Sequence, residues 1–270
     1  MKIVGNTITF KDYTLEDACR RMAALGFQGV EPWKEHLSGC RTPALLTAFA
    51  AWTSSIGLEL CGLNSIGTGE SYYFRPLEDY AASLQGLRNE VEYALVLDIH
   101  DILMWEGVRP QRLAEPLGET LKRLASLFRE AVSYASDRGV RILVEPHPFT
   151  FGIDPSFLVD LCDMVESDFF GVTYDCCHYG VGRPNDYLED IRTLNKRIKH
   201  IHFSDSDQVT SELHLPPGIG CLDLDGIVGA LAGIGFDGTI TLDLYGYPLP
   251  EEGARTSIPY LGKVIEQLGI

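Results

Sequence analysis

Ile142-Leu143-Val144-Glu145 is an apolar run that ends abruptly on a carboxylate. Three later runs end in the same way: Gly171-Val172-Thr173-Tyr174-Asp175, Ile198-Lys199-His200-Ile201-His202 and Thr239-Ile240-Thr241-Leu242-Asp243. Their terminal residues are 30, 27 and 41 positions apart. A strand–helix–strand unit takes roughly 30 residues, so the spacing predicts four successive parallel strands with one metal-binding side chain at the end of each. Side chains alternate faces along a strand. Glu145 therefore shares a face with Leu143 and Arg141, Asp175 with Thr173 and Gly171, His202 with His200, and Asp243 with Thr241 and Thr239. Three carboxylates and an imidazole converging on one point call for a cation, and the quartet reads as a divalent metal site.

The same alternation of strand-like runs and amphipathic helices extends to both ends of the chain. Further strands are expected at Ile3–Thr9, Phe27–Glu31, Leu58–Leu63 and Ile102–Trp105. Helices are expected after the Thr14 cap up to Gly26, over Pro43–Ile56, Leu77–Leu97 and Leu117–Arg138, and from Asp154-Pro155 to Glu166. Others are expected over Tyr187–Asn195, from an Asp223 or Asp225 cap to Ile234, and over Ile258–Leu268. Eight strand–helix pairs with right-handed crossovers predict an α/β fold, one (β/α)8 TIM barrel spanning residues 1–270. The four candidate ligands then fall on the barrel-lining face at its C-terminal end, where the active sites of such barrels lie.

The 270 residues carry 38 acidic and 22 basic side chains, a formal net charge of −16, the reverse of a nucleic-acid footprint. No apolar run is long enough for a membrane span. Met1-Lys2-Ile3-Val4 leads straight into strand-like sequence, so no secretory leader is expected. Seven scattered cysteines suggest free thiols in a reducing cytoplasm.

The chain resembles the sugar isomerase/epimerase group of xylose isomerase-like TIM barrels, with inosose dehydratases and isomerases, ketose 3-epimerases and endonuclease IV as relatives. The resemblance is carried by Leu25-Gly26-Phe27-Gln28-Gly29-Val30-Glu31, Glu145-Pro146-His147, Asp175-Cys176-Cys177-His178 and His200-Ile201-His202-Phe203-Ser204-Asp205. It continues in Leu215-Pro216-Pro217-Gly218-Ile219-Gly220 and Gly235-Phe236-Asp237-Gly238. It implies metal ligands at Glu145, Asp175, His202 and Asp243, the last an aspartate where the family usually has glutamate. Mn²⁺ is the first expectation for an O,O,O,N set, with Co²⁺, Mg²⁺ and Zn²⁺ as alternatives.

A cation there would polarise a sugar carbonyl so that a carboxylate can remove the neighbouring proton. Glu145 and Asp243 are the candidate carboxylates. His178, three residues after Asp175, holds the position where the family contacts a substrate oxygen, and His147 is a second candidate catalytic group. Glu31, Asp205, His214 and Trp105 are candidate substrate contacts. Trp33, Tyr72, Phe149 and Tyr245 could join Trp105 in an apolar floor, and His200 reads as a core histidine. Gly218 and Gly220 resemble a phosphate loop, but no Lys or Arg lies between Ser204 and Leu224.

The leading expectation is a metal-dependent isomerase or epimerase of a ketose, cyclitol or keto-sugar, acting through an enediolate. The alternative is a lyase, a dehydratase or a 3-keto-glycoside-cleaving enzyme, which in this family can work with a small β-rich partner subunit. An endonuclease IV-like repair enzyme and a non-catalytic sugar-binding barrel are remoter alternatives. A homo-oligomer or a hetero-complex with a small subunit is compatible with either leading reading.

Overall fold

The computed structural model describes residues 2–66 and 74–269. Its strands are β1 (Val4–Asn6), β2 (Gly29–Glu31), β3 (Glu59–Leu60), β4 (Leu63–Asn64), β5 (Asp101–Met104), β6 (Arg141–Val144), β7 (Phe170–Asp175), β8 (Ile198–Phe203) and β9 (Thr239–Leu242). They pair in parallel in the order β3-β2-β1-β9-β8-β7-β6-β5-β4. The two ends of that order, β3 and β4, are separated only by Cys61-Gly62. The Cys61 N–H donates to Val30 O (2.9 Å) and the Ser65 N–H to Leu103 O (2.8 Å). One interrupted strand thus spans β2 and β5 and closes the sheet into the expected barrel of eight strand positions.

The helices are α1 (Leu15–Leu25), α2 (Pro43–Ser55), α3 (Tyr80–Val96), α4 (Leu117–Ser136), α5 (Pro155–Val165), α6 (Cys176–Gly182), α7 (Tyr187–Leu194), α8 (Leu224–Gly233) and α9 (Pro250–Leu268). Side-chain caps start several of them. Thr14 accepts from Asp17 N, Asp154 from Ser156 N and Asp223 from Gly226 N. Gly26, at φ +100°, ends α1 in the left-handed region that favours glycine.

Three elements differ from expectation. The first strand stops at Asn6, not Thr9, because the Asn6 side chain accepts from Ile8 N (3.0 Å) and turns Thr7–Phe10 into a 3-10 helix. The short helix α6 follows β7 without a loop, since Asp175 is its N-cap. The last helix begins at Pro250, well before Ile258, and takes in Pro259 at an exposed position.

Apolar packing between barrel and helices is continuous. Phe128 of α4 bridges Phe74 and Phe170, with ring centroids 5.4 and 4.8 Å apart. The barrel interior is instead polar at its centre, where Glu31, His200, His202 and Thr241 are fully buried. Space is tight there: a Cβ on Gly62 would lie 3.1 Å from Leu103 and 3.2 Å from Glu31 Oε2. Arg141 forms a bidentate pair with Asp101 (2.6 and 2.7 Å), tying β5 to β6 at their N-terminal ends. Among the described residues no helix is long and apolar enough to cross a membrane, and all seven cysteines are free thiols.

Candidate metal centre

Glu145, Asp175 and His202 meet at the C-terminal mouth of the barrel, as strand parity predicts. Their donor atoms lie within 4.8 Å of one another. His202 Nδ1 is 3.3 Å from Glu145 Oε2 and 3.8 Å from Asp175 Oδ2. These three atoms are buried and have no hydrogen-bond partner among the described residues. Buried lone pairs left bare are costly. Atoms bound to one ion at about 2.1 Å stand roughly 3 to 3.5 Å apart, close to the spacing here. The triad therefore fits a divalent cation, with two carboxylate oxygens and one imidazole nitrogen as donors.

Each ligand is held from its other side. His202 Nε2 is 2.9 Å from Glu31 Oε1, which assigns the proton to Nε2 and leaves Nδ1 to the site. Asp175 Oδ1 accepts from His178 N (2.7 Å) as the cap of α6, leaving Oδ2 bare. Glu145 Oε1 is 3.2 Å from His178 Nδ1. Burial pushes the Glu145 carboxyl up, but His202 and His178 outweigh it and hold the group below the ordinary carboxylate range. For His202, burial opposes the charged form, yet Glu145 and Glu31 raise its pKa well above the usual value. Without a cation the carboxylates draw a proton onto the imidazole; a cation takes that proton's place.

Asp243 approaches the triad through His202, with Oδ2 3.8 Å from His202 Nδ1. Both its oxygens are already engaged, Oδ2 by Asn6 Nδ2 (3.0 Å) and Oδ1 by the Tyr245 N–H (2.9 Å). Burial holds its carboxyl above the ordinary range, against His214 and His202. The shorter side chain and the Asn6 tether place Asp243 at the edge of the donor set. His214 fills the space beside it: its Nδ1 is bare, 3.8 Å from Asp175 Oδ2 and 3.6 Å from Asp243 Oδ1, while Nε2 faces Ser211 O (3.2 Å).

A pocket of about 50 Å³ opens over these groups, lined by Glu145, Asp243, His147, His178, His214 and Trp105, with Asn64, Tyr245 and Glu212 also on its wall. His178 commits Nδ1 to Pro146 O (2.9 Å), so Nε2 is its available nitrogen. His147 Nε2 meets Glu212 Oε1 at 3.0 Å. Burial depresses the His147 pKa, and His147 in turn lowers that of Glu212. Trp105 packs against the His147 and Phe149 rings at 5.2 and 5.0 Å. Trp33 is buried outside the pocket lining and donates Nε1–H to the backbone oxygen of Ile66 (2.7 Å), a residue of that lining; Tyr72 lies outside the described residues.

Two expected substrate contacts do other work. Glu31 does not reach the pocket: it is fully buried below His202, with Oε2 3.0 Å from His200 Nε2. Burial alone would raise its pKa, but His202 and His200 bring it down to about 2. Asp205 accepts four backbone N–H groups, from Ser206 and Leu222 on Oδ1 and from Gly218 and Gly220 on Oδ2. The glycine loop that resembles a phosphate cradle already holds this carboxylate. Glu212 was not singled out from the sequence, because it stands in a loop with no periodicity to mark it.

The chain belongs to the xylose isomerase-like TIM barrel family, which it matches over residues 19–264. An uncharacterized protein of Methanocaldococcus jannaschii is 27% identical over 165 residues, 60% of this chain and 56% of that protein, so the match spans little more than half of the relative. A D-tagatose 3-epimerase-like protein superimposes with a TM-score of 0.82 at 21% identity, covering 100% of this chain and 98% of the other. The IolI protein with a bound zinc atom gives 0.82 at 20% identity, covering 99% of both chains. The probable 3-DHS dehydratase AsbF of Bacillus anthracis gives 0.76 at 16% identity, covering 97% and 99%.

Proposed function

We propose that this protein is a divalent-metal-dependent enzyme that isomerises or epimerises a ketose, cyclitol or related keto-sugar by moving a proton on the carbon beside a carbonyl. The observation that carries this reading is the convergence of three bare, buried donor atoms from Glu145, Asp175 and His202 beneath a pocket that both Glu145 and Asp243 line. When bound, the cation supplies Lewis acidity that makes the neighbouring C–H acidic. Glu145, from the β6 side, takes the proton. Asp243, from the β9 side and steadied by Asn6 and Tyr245 N, returns one from across the pocket. His178 presents Nε2 to the substrate oxygens, and Trp105 and Tyr245 give the carbon skeleton apolar walls. Mn²⁺ is the first choice for an O-rich set, and the zinc-bound IolI relative supports Zn²⁺ as the alternative.

Elimination is the second reading, favoured by one observation: three imidazoles, His147, His178 and His214, line the same pocket. Any of them could protonate a leaving oxygen once the adjacent proton is gone, and the AsbF relative is described as a probable dehydratase. Product analysis on ketoses, inososes and 3-keto-glycosides, with metal-loaded and chelated protein, separates the readings. Metal-dependent products of unchanged composition support isomerisation. Loss of water or of an aglycone supports elimination. Equal turnover with and without metal excludes both.

A further inference from the structure

A second and larger cavity, of about 490 Å³, lies on the same end of the barrel, between residues 74–78, just before α3, and the loop from β5 to α4. Its volume is in the range of small-molecule sites, about 300–1,000 Å³. The two cavities share no lining residue among the described residues, but neighbouring positions of one loop reach both: Trp105 lines the metal pocket, and Gly107 and Val108 line this cavity. The 105–116 loop is held in place by Arg109 N, which donates to Phe149 O (2.9 Å), and by the bridge between Val108 and Thr150. Phe74, Val108, Pro110 and Leu113 give the cavity an apolar body.

Among the described residues the polar lining is unbalanced. In a chain of net charge −16, Arg75, Arg112 and Arg123 face Glu78 and Glu115. Arg75 and Glu78 are 3.7 Å apart and Arg123 and Glu115 3.8 Å apart, both long pairs. Arg112 has no ion pair or hydrogen bond with the described residues. The 20-residue helix α4 starts here on Pro116 without a side-chain cap. Its N-terminus carries the positive end of the helix dipole. One turn in, Thr120 lines the cavity with its residue fully buried and its hydroxyl without a hydrogen-bond partner among the described residues. Glu119, the acidic residue of that first turn, pairs with Lys122 at 2.8 Å.

We propose that this cavity is a second binding site, for a small anion with an apolar body: a carboxylate or phosphate that meets Arg112, Thr120 and the start of α4, on a ring or short chain that fills the apolar part. The site stands apart from the metal chemistry, since among the described residues none that lines it is a ligand or lines the metal pocket.

The test is calorimetric titration of the metal-loaded protein with phenyl phosphate, benzoate and benzyl alcohol, followed by Arg112→Gln and Thr120→Val. Arg112 is exposed, and Val matches Thr in shape, so both variants keep the fold. Manganese titration of each variant checks that the metal centre is intact. Phenyl phosphate and benzoate are expected to bind at least about tenfold tighter than benzyl alcohol, and each substitution is expected to weaken the anions about tenfold with manganese affinity unchanged. Equal binding of benzyl alcohol overturns the proposal. So does anion binding that survives both substitutions, or that disappears when manganese is removed, which would place the anion on the metal.

Discussion

Glu31 Oε1 lies 2.9 Å from His202 Nε2, on the side of the imidazole opposite Glu145. The pair orients the ring and fixes which nitrogen carries the proton, the role that carboxylates play behind metal-bound histidines. Glu31→Gln keeps the shape of the side chain and removes its charge. Divalent-metal affinity, measured by competition with a chelator, is expected to fall about 10–100-fold with the circular dichroism spectrum unchanged. Unchanged affinity would show that Glu31 is only a core residue.

Metal binding is expected to release a proton. Burial disfavours charge on His202, but Glu145 and Glu31 raise its pKa well above the usual value, so the metal-free site holds a proton that a cation must displace. Affinity should rise about tenfold per pH unit below that raised pKa. Titrations in buffers of differing ionisation enthalpy measure the release directly. Affinity that is flat between about pH 6 and 8 would contradict it.

Much of this centre was legible in the sequence, for a physical reason. Barrel strands have a two-residue period and present their last inward side chain to the mouth, so spacing and parity were enough to bring Glu145, Asp175 and His202 together. Depth along the barrel axis is not encoded by parity. Glu31 has the inward parity of a substrate contact, yet lies below His202. Asp205 was unreadable for another reason: its four partners are backbone N–H groups up to 17 residues away, and backbone amides leave no mark on sequence. Helix α6 was hidden because Asp175 serves both as its cap and as a candidate ligand at the end of a strand, so no separate capping residue marks where the helix starts. The arginines around the second cavity come from separate segments and form no motif.

Asp205→Ala leaves four N–H groups without their carboxylate. Hydrogen bonds to charged groups contribute about 1.5–3 kcal/mol each, but the released loop regains water, so a net loss of about 3–5 kcal/mol is expected. Denaturant unfolding measures it. Metal affinity should hold under native conditions, since Asp205 touches no ligand; its collapse together with stability would mean the loop supports the metal site.

Glu106 is buried behind the pocket and takes the Gly152 N–H on Oε1, while Oε2 has no partner among the described residues. Burial raises its pKa from 4.5 to about 7, against the Gly152 and Thr150 hydrogen bonds. The folded state therefore keeps a proton that the unfolded chain gives up. The resulting stability is complete below about pH 4.5 and is lost as pH rises through 7, a decline of about 3 kcal/mol. Glu106→Gln should remove this part of the slope and be the more stable protein at pH 8. Parallel urea-unfolding profiles for the two proteins from pH 5 to 8 would refute the assignment.

The central claim is proton transfer at a carbon beside a carbonyl, dependent on metal and on Glu145. The direct measurement is solvent-deuterium exchange into ketoses, inososes and 3-keto-glycosides, read by NMR, for metal-loaded protein, chelated protein and Glu145→Gln. The account predicts exchange into at least one substrate with metal-loaded protein, and its loss of about a hundredfold or more both on chelation and in Glu145→Gln. Stoichiometric metal binding with no exchange into any member of the panel, or exchange that persists in Glu145→Gln, would contradict it.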